Sequence, residues 1–199
     1  MRKVLLFAVL LTLSSIIFGQ NKIILYNANL IDGIASVEKR NMMIFVSNGK
    51  IESIKKDGLK PKGYKLIDLG GMYLLPGFID AHTHIRTIDA ANRALESGVT
   101  TARSASTPNF QDISIREMVK TGALIGPDMI ATGVFVTPNL GETILADTHL
   151  GNLHGGVNKE DDLKKVVQVN AQRGVDFIKT RGTERAGLPQ TDPRKQTYT

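Results

Sequence analysis

Apolar and polar positions divide the chain into three stretches with different rhythms. Val4 to Phe18 is apolar almost throughout, behind Met1-Arg2-Lys3, and ends at the small residue Gly19 before Gln20 and Asn21. From Lys22 to about Leu75 the apolar residues come in short runs, such as Ile23–Tyr26, Met42–Val46 and Leu66–Leu69, separated by turn residues. Short runs of this kind predict strands. Asn48-Gly49, between Asn41–Val46 and Lys50–Ile54, is a hairpin signal, because both residue types tolerate positive φ. Residues 21–75 therefore read as a small all-β module.

After Pro76-Gly77 strand and helix patterns alternate. Phe78 to His84 reads as a strand, and Ile88 to Ser97 as a helix closed by Gly98. Val99–Ala105 is the next strand and Ile113–Thr121 the next helix, followed by Gly122. Asp128–Thr137 is a third strand, leading to a long Gly- and His-containing loop from Pro138 to Val157. Asn158 is the expected N-cap of a third helix, with Glu160, Asp161 and Asp162 at its positive end and Gly174 beyond its last turn. Val175–Lys179 is a fourth strand. Strand and helix in this order predict an α/β fold with a parallel sheet and right-handed crossovers.

Composition narrows the class. The chain has 199 residues, 42% hydrophobic and 22% charged, which is a globular composition. There is no Cys, so no disulfide. The formal charge is +6, or +4 without Arg2 and Lys3, and the basic residues are scattered among acidic ones, which gives no nucleic-acid surface. Residues 1–20 have the layout of a secretory signal peptide, implying export to the periplasm or beyond and no lasting membrane anchor after cleavage. The alternative is an anchor, since the apolar run is nearly long enough to span a bilayer.

Chemistry concentrates at strand ends. His82 and His84 are two apart on one strand, so both imidazoles project to one face, and two converging imidazoles suit a borderline metal such as Zn²⁺. Asp80 shares that parity. Lys179 ends the fourth strand; it is either a metal-site residue or a strand-end lysine paired with Asp176 or Glu184. His149 and His154, in the loop after the third strand, are candidate substrate contacts or ordinary surface histidines. Arg181 and Arg185, after Lys179, suit a substrate carboxylate, or pair with Glu184.

Pro76-Gly77-Phe78-Ile79-Asp80-Ala81-His82-Thr83-His84 and Gly98-Val99-Thr100-Thr101-Ala102-Arg103 resemble motifs of the amidohydrolase superfamily, closest to its imidazolonepropionase-like and Xaa-Pro-dipeptidase-like branch. Many relatives carry Asp where Ser104 stands. The resemblance implies a β-sandwich module followed by a (β/α)₈ TIM barrel. It also implies one or two divalent ions, with Zn²⁺ expected, held by His82 and His84 and bridged by a carboxylated Lys179. The implied reaction is attack of a metal-activated hydroxide on a C–N bond in a small-molecule amide, dipeptide or cyclic amide.

A complete barrel takes roughly 250 residues, and about 120 follow the β-module. Residues 76–199 are thus expected to hold the first four βα units, with the family's remaining histidines and its proton-shuttling Asp lying beyond Thr199, so no catalytic residue is assigned within the chain. A half barrel leaves the edges of its first and fourth strands unpaired. Homo-oligomerisation, or service as a non-catalytic binding or assembly module, is the competing expectation.

Overall fold

A computed structural model describes residues 22–184 and 189–197. The signal-peptide reading of residues 1–20, and Arg185, lie outside the described residues. The chain divides into two units at Pro76/Gly77, and the described residues form a mixed α/β structure.

In the first unit, β1 (Lys22–Leu30), β2 (Lys39–Ser47), β3 (Lys50–Lys56), β4 (Lys65–Asp68) and β5 (Tyr73–Leu74) form one sheet. β1 and β2 are antiparallel, as are β2 and β3, while β4 and β5 lie parallel to β1. The turn joining β2 to β3 holds Asn48 and Gly49 at φ of 49° and 75°, the left-handed pair expected from the sequence. The continuous apolar run of β2 is buried on both faces. Met42 and Ile44 pack with Ala28 and Leu30, whereas Met43 and Phe45 pack with Ile24.

In the second unit, β6 (Phe78–Thr83), β7 (Val99–Ser104) and β8 (Asp128–Ile130) form a parallel sheet in that order. Helix α1 (Ile88–Glu96) follows β6, α2 (Gln111–Lys120) follows β7, and α3 (Glu160–Gln172) comes after two 3₁₀ turns, Gly141–Ala146 and Thr148–Leu153. Ala91 of α1 and Ile115 of α2 close over Ala102 and Met129 of the sheet. Val166 and Val169 of α3 pack with Phe110, Val134, Val136 and Leu150.

Three expectations need correction. The third strand stops at Ile130 rather than Thr137, because side chains take over the bonds a ladder would make. Ala131 N donates to Asp176, Thr132 N and Gly133 N to Asp112, and Val134 N to Asn170. Gly133 is required in this path: its φ is +67°, and a Cβ there would lie 2.5 Å from Asn170 Oδ1. The fourth strand, expected over Val175–Lys179, does not form; one parallel bridge, between Val136 and Thr180, stands just after it. The N-cap of α3 is Lys159, not Asn158. The Asn158 amide instead donates to Gly155 O at 3.0 Å, while its backbone N–H donates to the Asp162 carboxylate.

Candidate metal and substrate cleft

β6 delivers His82 at its penultimate position and His84 just beyond its end. The two ring centroids are 5.6 Å apart at an interplanar angle of 67°. With metal–nitrogen bonds of about 2.0–2.1 Å, two imidazoles sharing one ion at a roughly tetrahedral angle have centroids about 5 Å apart, so the pair is spaced for a common ion. His84 Nδ1 is 2.8 Å from the Ser106 carbonyl oxygen. A carbonyl can only accept, so Nδ1 donates here and, in the neutral ring, Nε2 is the nitrogen with the lone pair, the arrangement of a metal-ligating histidine. Asp80 does not reach either ring; its Oδ1 accepts the backbone N–H of His82 at 3.0 Å.

Both histidines open on a cleft of about 660 Å³ whose walls include Arg86, Phe135, Lys179 and Arg181. The parallel bridge at Thr180 brings Lys179 here, its carbonyl accepting from Val136 N. Lys179 is half-buried, and the carboxylates that could have paired with it are engaged elsewhere. Asp176 binds Arg116 at 2.6 Å and accepts from Ala131 N. Glu184, on the cleft wall, binds Lys195 at 2.8 Å and accepts from Asp192 N, and these donors hold its carboxyl below the usual range. The cleft thus presents two imidazoles and an amine without an ion-pair partner among the described residues. No three His, Cys, Asp or Glu side chains gather as a metal site among the described residues. A carboxylated lysine would supply oxygen donors that a bare lysine lacks.

Arg181 lies over Phe135, its guanidinium carbon 4.8 Å from the ring centroid, and Phe135 in turn stands 5.9 Å from His84. His149 and His154 do not line the cleft. His149 Nδ1 is 2.7 Å from Asp147 Oδ1 in an exposed pair, and His154 Nδ1 is 3.4 Å from Gly151 O. The His149 amide, then Arg173 and the His149 ring, lower the Asp147 carboxyl to about 2.

Two residues of this region escape sequence reasoning. Arg86 continues the alternation of His82 and His84 past the strand end, and that parity is the signal that could have found it. Asp112 looks like an ordinary first-turn acid of α2, yet it is fully buried, and burial pushes its carboxyl up.

The chain is similar in sequence and fold to the amidohydrolase superfamily, whose members here are hydrolases of carbon–nitrogen bonds and typically use divalent metals. Among individual proteins, it is 41% identical over 66 residues to a dihydroorotase of Syntrophus aciditrophicus, covering 33% of this chain and 15% of that protein. It is 34% identical over 73 residues to an L-hydantoinase of Paenarthrobacter aurescens, covering 36% and 15%. A crystal structure of a Xaa-Pro dipeptidase with bound methionine superimposes with a TM-score of 0.71 at 23% identity, covering 89% of this chain and 51% of the other. The chain thus spans a minor part of those curated relatives and about half of that structure. No family model matches it.

Proposed function

We propose that this chain supplies His82, His84 and a carboxylated Lys179 to the metal centre of an amidohydrolase that cleaves an amide, dipeptide or cyclic amide. The observation that carries the reading is the convergence of these three side chains on one cleft while both nearby carboxylates are bound elsewhere. In this reading β6–β8 and their helices are the first part of a (β/α)₈ barrel, and β1–β5 belong to the β-sandwich module. The basic-then-apolar start of the sequence supports export.

Each residue has a definite task. His82 and His84 donate imidazole nitrogen. Lys179 would react as its free amine: nitrogen bonds to the carbon of CO₂, a proton leaves to solvent, and the carbamate would offer oxygen donors to a bound divalent ion. A divalent cation, with Zn²⁺ the expected one, supplies polarisation of the amide carbonyl and acidification of a water molecule. Arg181, steadied on Phe135, and Arg86 give the same cleft guanidinium groups for a substrate carboxylate.

Calorimetric titration with Zn²⁺ in bicarbonate buffer tests the site. The chain should bind the ion, His82→Ala should lose most of the affinity, and Lys179→Ala should lose the bicarbonate dependence. In an enzyme containing this chain, chelation should abolish hydrolysis and Zn²⁺ restore it. Undiminished Zn²⁺ binding by His82→Ala would end the proposal.

One observation favours a second reading, as an assembly module. Ile79 is 72% exposed and Ile130 41% exposed, whereas parallel sheets are normally covered on both faces. Light scattering decides: a monomer at all concentrations removes the homo-oligomer reading.

A further inference from the structure

The bond from His84 to the Ser106 carbonyl depends on a residue in an unusual backbone state. Ser106 has φ of 105°, a conformation that side-chain-bearing residues seldom adopt. Its own hydroxyl does not hold it there, for that atom is buried without a hydrogen-bond partner among the described residues. The neighbours hold it instead. On one side, Ala105 N donates to Thr83 O at 2.7 Å; on the other, Thr107 N donates to Gly133 O at 2.8 Å. The Thr107 hydroxyl then donates to Asp112 Oδ1 at 3.0 Å, and the other oxygen of Asp112 accepts from Thr132 N and Gly133 N, both at 3.1 Å. Asp112 and Thr107 are wholly buried, and each of these partners of the carboxylate is a donor, as is Ile113 N.

We propose that Asp112 is a positioning residue: by tying the segment after β7 to the segment after β8, it aims the Ser106 carbonyl at His84 and fixes which ring nitrogen faces the cleft. A carboxylate is needed because both oxygens receive hydrogen. An amide in its place would turn an NH₂ group toward N–H or O–H donors, and the two segments would shift apart. Ser106 would then relax, its carbonyl would swing away from Nδ1, and His84 would sample both tautomers. The value of this arrangement to catalysis rests on the metal reading above; the tautomer itself does not.

The test uses the full chain, ¹⁵N-labelled and metal-free, with the tautomer of His84 read from long-range ¹H–¹⁵N spectra and its signals identified by loss in His84→Gln. The parent should show a single Nδ1-protonated form. Asp112→Asn and Thr107→Val should each show averaging between tautomers, and Thr107→Val carries the test if Asp112→Asn does not fold. Ile115→Ala, a core truncation in the same helix that touches none of these bonds, should keep the parent tautomer. In a parallel Co²⁺ titration, Thr107→Val should bind about tenfold more weakly than the parent. Parent-like tautomers in both clamp variants would overturn the proposal, as would equal averaging in Ile115→Ala. If the parent binds no Co²⁺ but the clamp variants alter the tautomer, the metal reading fails and this one stands.

Discussion

β1–β3 and the segment 131–136 satisfy their backbones in opposite ways. In the first, ladder bonds run from strand to strand, and side chains are free to pack on two faces. In the second, side chains of Asp112, Asn170 and Asp176 take the N–H groups of residues 131–134, and only one bridge remains to the chain that carries Lys179. The difference teaches that regularity and placement compete. A ladder repeats itself and tolerates substitution, whereas a side-chain clamp fixes one particular loop in one particular place, which is what a cleft wall requires.

The largest expected effect comes from the clamp. Asn170 is fully buried and bonds both the N–H and the C=O of Val134. Asn170→Ala leaves both without partners, which costs roughly 3 kcal/mol or more. Urea unfolding measures it, and a loss below about 1 kcal/mol would erase the contrast with the ladder. Next comes acid. The Asp147 carboxyl, bonded to the His149 amide and to Arg173 at 2.7 Å, is lowered to about 2. A depressed carboxyl contributes stability above its ordinary range, and that contribution disappears as pH falls from about 4 to about 2, worth roughly 2 kcal/mol at most. Asp112 has the opposite sign, since its carboxyl is raised and protonation relieves its burial. Melting temperatures at pH 5 and pH 2.5 should therefore differ less in Asp147→Asn than in the parent. The smallest effect belongs to the ladder: Gly49→Ala forces a Cβ into φ of 75° at the hairpin and should cost about 1 kcal/mol in the same urea experiment.

This contrast also explains what could be read from the chain. The hairpin at Asn48-Gly49, the glycines at 98, 122 and 174 that end each helix with positive φ, and the order of strands and helices follow from local residue chemistry. So does the pairing of His82 with His84, which needs only strand parity. The shortened third strand was not legible, because Asp112, Asn170 and Asp176 act on residues 20 to 45 positions away. Nothing in the polar character of Asn170, set among helix-spaced apolar residues, says which backbone it will bond. Asn158 misled for a related reason: its residue type suits a cap, but Gly155 claimed its side chain. Lys179 was ambiguous in sequence because its freedom depends on Arg116 and Lys195 occupying its two acidic neighbours.

The clamps also have a history within each folding event. A hairpin such as β2–β3 closes over two residues and forms in about 1–10 μs. Asn170 reaches Val134 across 36 positions and Asp176 reaches Ala131 across 45, and chain entropy makes such closures slower and dependent on α3 already being in place. Closure of the cleft wall should therefore follow that of the local hairpin and helices.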